Sequence, residues 1–182
     1  MQRSTHSALA FLVLLLRVSS FAQSASKPAI SPVEFVQGFY NWYTPLALED
    51  KNPPTWSSAL KIKAKEFAPP LLRLLREDAT AQSKCRELIS LDFDPFLNTQ
   101  EPADHYEAAA ISRKGSTYAA DVYSVRFGKR SDKPDVVVEF VQGGAGYHFT
   151  NFLYPADGTD LLAILRSPRP ECTAPRNNRG HP

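Results

Sequence analysis

The hydrophobic period of this chain changes once, near Tyr106, and that change restricts the fold more than any other feature. Before it, apolar residues recur every three to four positions, the period of a helix. After it they alternate, the period of a half-buried strand. Helices followed by strands joined through short loops give an α+β fold, in which N-terminal helices pack on an antiparallel sheet. The 182 residues suit one domain with extensions. An apolar fraction of 43% against 22% charged excludes a wholly disordered chain.

The helical half is well punctuated. Ser31-Pro32-Val33-Glu34 is a capping box with proline at the first helical position. Val36, Phe39, Tyr40 and Tyr43 then share one face, widened by Phe35 and Trp42. So dense an aromatic stripe reads first as a buried packing surface and second as a ligand wall. Pro45, Pro53 and Pro54 predict a loop after it. A weak helical pattern (Leu60, Ala64, Phe67) follows over Thr55–Ala68. Pro69-Pro70 starts a further helix with Leu71, Leu72, Leu74, Leu75 and Ala79 on one face, predicted to run through Cys85 towards Ile89. In the irregular stretch LDFDPFLNTQEPAD, Asp92 and Asp94 are candidates for a cation site. Calcium needs six to eight oxygens, so an Asx turn is the expected use of these side chains.

The second half predicts four strands: Tyr106–Ser112, Thr117–Phe127 with Tyr123, Val125 and Phe127 on one face, Asp135–Val141, and Tyr147–Phe152. A short helix, Asp160–Leu165, closes the domain. This gives a single α+β domain over residues 31–166, preceded by a polar leader at 23–30 and followed by a Pro/Arg-rich tail at 167–182 that only Cys172 would pin.

Met1–Ala22 reads as a signal peptide: Arg3, the apolar stretch ALAFLVLLL, then Ser20-Phe21-Ala22 with small residues at −3 and −1. Nine apolar residues are too few to cross a bilayer, and no cysteine follows for a lipid anchor. The expected location is the periplasm or cell exterior, with no stable membrane span after cleavage. Removing this segment takes two arginines and no acid, leaving 19 basic against 19 acidic residues. That balance gives no electrostatic reason to expect nucleic acid as a partner. In an oxidising compartment the only two cysteines, Cys85 and Cys172, are expected to form a disulfide.

Recognisable catalytic chemistry is scarce. GGAG at 143–146 precedes a strand and lacks the Lys-Ser/Thr of a phosphate loop. No serine-nucleophile elbow or zinc signature occurs, and only His105 and His148 fall inside the predicted domain. No metal or cofactor is expected. Asp121 and Glu139 lie on predicted strands and are further candidate cleft carboxylates.

Three landmarks occur together: Phe39-Tyr40-x-Trp42-Tyr43, Asp92-x-Asp94-Pro95-Phe96-Leu97-x-x-Gln100, and Tyr147-His148-Phe149-x-Asn151-Phe152-x-Tyr154 followed by Leu161-Leu162. Over residues 32–166 this resembles the bacterial family of exported proteins called domain of unknown function 3828. The family commonly has Trp where Tyr147 stands and Gln-Asp where Gln100-Glu101 stands. The resemblance implies helices packed on a curved antiparallel sheet, similar to nuclear-transport-factor-2-like or cystatin-like cones. It supplies no catalytic residue.

These features favour an exported, non-catalytic binding or interaction protein whose partner is a small molecule, peptide or envelope protein. The alternative is a periplasmic hydrolase or isomerase with an acid or base in a cone-shaped pocket. The expected cavity is framed by Tyr40, Trp42 and Tyr43 on the helix and Tyr123 and Phe149 on the inward side of the sheet. Asp92, Asp94 and His148 are its expected polar groups. The competing expectation is that these aromatics fill the core and leave no cavity.

Overall fold

The computed structural model describes residues 30–49, 54–85, 88–89, 91–144, 146–169 and 171–172. The segment at 1–22 expected to be a signal peptide, nearly all of the expected leader and the tail beyond 172 lie outside these residues.

Helix α1, Pro32–Ala47, begins where the capping box places it. The Ser31 backbone N–H donates to Glu34 Oε2 at 2.7 Å, and the Glu34 N–H donates to Ser31 Oγ at 3.3 Å. Pro45 does not end it. It falls in the last turn, where it removes one hydrogen bond and leaves its ring exposed, so the helix closes two residues later. Helix α2 spans Thr55–Ile62 and is followed by a single 3-10 turn at Ala64–Glu66. Helix α3 spans Pro69–Lys84 and stops short of the predicted Ile89. Cys85 turns extended (φ −109°, ψ 151°) because it is buried and bonded to Cys172, with 5.6 Å between the Cα atoms. The Arg169 guanidinium also lies 3.2 Å from Asp78 on α3, so the chain after the last helix is fastened twice.

The sheet is mixed in size but antiparallel throughout: β1 His105–Lys114, β2 Thr117–Arg126, β3 Lys129–Arg130, β4 Val136–Gly143, β5 Gly146–Tyr154 and β6 Thr159–Asp160, ordered β1-β2-β4-β5-β6 with β3 also paired to β2. The four long strands are those expected. The two short ones escape sequence reading because two residues contain no period. Helix α4, Leu161–Arg166, is capped by Asp160, whose Oδ1 accepts from the Ala163 N–H at 2.9 Å.

The core lies between the helices and one face of the sheet. Ala120, Val122, Val138, Phe140, Phe149 and Phe152 are fully buried from the strand side. Phe39 is central, in ring contact with Tyr40, Tyr43, Phe67, Phe96 and Phe149. Two expectations about β2 are corrected. Tyr123 alternates with the buried Val122, so it lies on the face opposite the helices, its ring 3.7 Å from the Arg130 guanidinium. Phe127 belongs to no face. It and Gly128 form the two-residue β2–β3 turn with φ of 51° and 73°, the signature of a type I′ hairpin, and Phe127 is 98% exposed.

Candidate functional site

Of the expected aromatic wall, Tyr40, Tyr43 and Phe149 are at most 1% exposed and touch other rings. They fill the core. Trp42 is half-buried, with the Lys63 ammonium 5.0 Å from its ring centre. Three surface clefts among the described residues are lined by other side chains, with none of Tyr40, Trp42, Tyr43, Tyr123, His148 or Phe149 in their walls. His148 sits at the β5 edge with Nδ1 2.9 Å from the Lys65 carbonyl. A Cβ added at Gly143 would stand 2.9 Å from His148 Nε2, so glycine lets this ring lie against the β4–β5 turn. Asp121 and Glu139 alternate with buried neighbours and face away from the helices.

The polar residues of the irregular stretch gather around one turn. Asp94 Oδ1 accepts from the Phe96 and Leu97 N–H groups at 2.9 and 3.2 Å, the Asx geometry expected of Asp followed by Pro. Its other oxygen, Oδ2, accepts a hydrogen bond from the Tyr43 hydroxyl. The Asp94 N–H donates to the Thr99 carbonyl at 2.9 Å, closing the loop over Asn98, whose φ is 53°. Tyr40 from α1 and Tyr154 from β5 each donate at 2.8 Å, to the Phe96 and Pro95 carbonyls. Three tyrosines thus hold one turn. Their rings are core and their hydroxyls are clamps, which explains why a packing helix is so rich in Tyr.

Beside this turn opens a cleft of about 530 Å³. Ala47 at the end of α1, Trp56 on α2, and Leu88, Leu91 and Phe93 give it apolar walls, while Asp92, Asp94, Thr99 and Gln100 supply polar groups. No lysine or arginine is among its described lining residues. Asp92 is exposed; Asp94 is partly buried and presents an edge to the cleft. Burial pushes the Asp94 carboxyl up from 3.8 to about 6, against hydrogen bonds from Tyr43, Phe96 and Leu97 that favour the carboxylate. Burial, then the Asp94 charge, drives the Tyr43 hydroxyl well above the usual phenol value, so Tyr43 stays a donor.

The sequence singled out Asp92 and Asp94 but missed Trp56, Leu91 and Phe93 as their companions. Leu91 and Phe93 flank the two aspartates in sequence, but Trp56 on α2 joins them only through the fold, and no local spacing records that. Among the described residues no group of three or more His, Cys, Asp or Glu could hold a metal ion. The cleft can instead accept hydrogen bonds and positive charge at its carboxylates and cover apolar surface with its walls. No protein-family model, curated protein or solved structure matches the chain.

Proposed function

We propose that this chain is an exported, non-catalytic binding or interaction protein whose ligand occupies the cleft beside Asp92 and Asp94. The observation that carries this reading is the pairing of two carboxylates with Trp56, Leu91 and Phe93 in one cleft of about 530 Å³. A ligand with an ammonium or amidinium group on a flat apolar body matches both kinds of lining. Against catalysis stands the engagement of both Asp94 oxygens, by Tyr43 and by the turn N–H groups. The only other ionisable group among the cleft's described lining residues is Asp92. Export is supported by the disulfide. The resemblance to the exported family of unknown function belongs to the same proposal.

The second reading, a hydrolase or isomerase with Asp94 as general acid, rests on the rise of that carboxyl to about 6. Titration with phenethylammonium, followed by tryptophan fluorescence, tests the first. Quenching should saturate, and Asp94→Asn should weaken binding about tenfold, as expected for losing one charge-assisted hydrogen bond. No saturable quenching by phenethylammonium at any pH between 5 and 8 rejects the cleft as an amine site.

A further inference from the structure

Phe127 breaks two local rules at once. A bulky side chain rarely takes positive φ, and the first position of a type I′ turn favours Asn, Asp or Gly. Yet Phe127 stands there at φ 51° and is 98% exposed, so its ring makes almost no contact that would repay the strain. The turn is held in place. The Phe127 N–H donates to Asp104 Oδ2 at 2.6 Å, and the Arg126 guanidinium donates to the Glu101 and Pro102 carbonyls. An exposed aromatic presented on a fixed backbone is the form of an interface anchor.

The surface that complements it is on the same molecule. Flanking Phe127 are the exposed cations Arg126 and Lys129. The cleft described above offers aromatic walls, two carboxylates and, among its described residues, no cation. Tip and cleft are also neighbours: residues 99–104 lie between them, with Thr99, Gln100 and Pro102 lining the cleft while Pro102 and Asp104 hold the tip. A two-fold axis near this segment would pair each tip with the other copy's cleft, the arrangement of a closed, self-complementary dimer.

We propose that the β2–β3 tip of one copy docks, reciprocally, in the Asp92/Asp94 cleft of a second copy, with Phe127 between the aromatic walls and Lys129 facing Asp92. The inference rests on the cleft being a site for an apolar cation, as proposed above.

Sedimentation equilibrium of the disulfide-bonded protein from about 5 to about 500 µM tests it. A monomer–dimer equilibrium is expected. Phe127→Asn suits positive φ, so its melting temperature should not fall, while its dimer dissociation constant should rise at least tenfold. Asp92→Lys, at an exposed position, should do the same, and adding Lys129→Glu to it should restore the dimer. A monomer throughout, or a dimer indifferent to Phe127→Asn and Asp92→Lys, overturns the docking. Phenethylammonium titrated into Phe127→Asn separates the two readings. Binding there with no wild-type dimer keeps the ligand site and refutes the docking. A wild-type dimer sensitive to both substitutions but without amine binding refutes the ligand reading alone.

Discussion

At Asp94 a single side chain closes a turn, ties α1 to that turn through Tyr43 and lines the cleft. Its carboxyl, raised by burial from 3.8 to about 6, gives stability a definite pH dependence. The folded state binds the proton more tightly than the unfolded chain does. This contribution is therefore complete below about pH 4 and is lost as pH rises through about 6. The displacement corresponds to at most about 3 kcal/mol, less where solvent at the cleft screens the charge. Urea unfolding of Asp94→Asn and wild type should converge at pH 4. At pH 7 the variant should be the more stable, by about 1–2 kcal/mol after screening, because asparagine keeps the turn contacts without the buried charge. Equal pH slopes in the two proteins would show that burial leaves this carboxyl unshifted. The turn itself was legible in sequence, since Asp before Pro constrains its own neighbours. The Tyr43 contact was not, because 51 residues separate the partners.

Between elements, the joint that matters most is α1 on the free edge of β1. Gln37 lies on α1 with its side-chain amide placed as a peptide group would be: Nε2 donates to the Tyr106 carbonyl at 2.9 Å and Oε1 accepts from the Ala108 N–H at 2.8 Å. The bulge at Ala110, φ 46°, then bends the strand away. These two devices cover an edge that would otherwise recruit another strand. Gln37→Leu keeps the helix and removes both bonds. It should lower stability by about 2 kcal/mol, one for each part-buried backbone group left without its partner, and raise thioflavin-positive aggregation near the melting point. An unchanged melting curve would mean that water replaces the amide without loss. Element identity was the most legible level: the capping box, the double proline, the hydrophobic periods and the switch to alternation located the four helices and the four long strands. The failures are physical. Pro45 is harmless in a final turn, and parity does not say which face of β2 meets the helices, which is how Tyr123 came to be expected inward.

For the whole molecule, the decisive link is Cys85–Cys172, 87 residues apart in sequence. Closing so long a loop restricts the unfolded chain, so replacing both cysteines by serine should lower stability by roughly 4–5 kcal/mol in the chain-entropy account. Guanidinium unfolding of the double variant checks this. A loss below about 1 kcal/mol would mean that Arg169 and the α4 packing hold the C-terminal segment unaided. The pairing was readable from two cysteines in an expected exported chain. Whether the aromatic core would enclose a cavity was not foreseeable in either direction, because whether rings leave a void depends on how they interlock. The crosslink also gives the covalent structure a shape of its own. It is a lariat: β1 through α4 lie on the closed noose, while α1, α2 and the whole of α3 hang from it as the free end. One backbone cut anywhere in the noose opens it without shedding a strand, and the two pieces remain a single molecule until a reductant parts them.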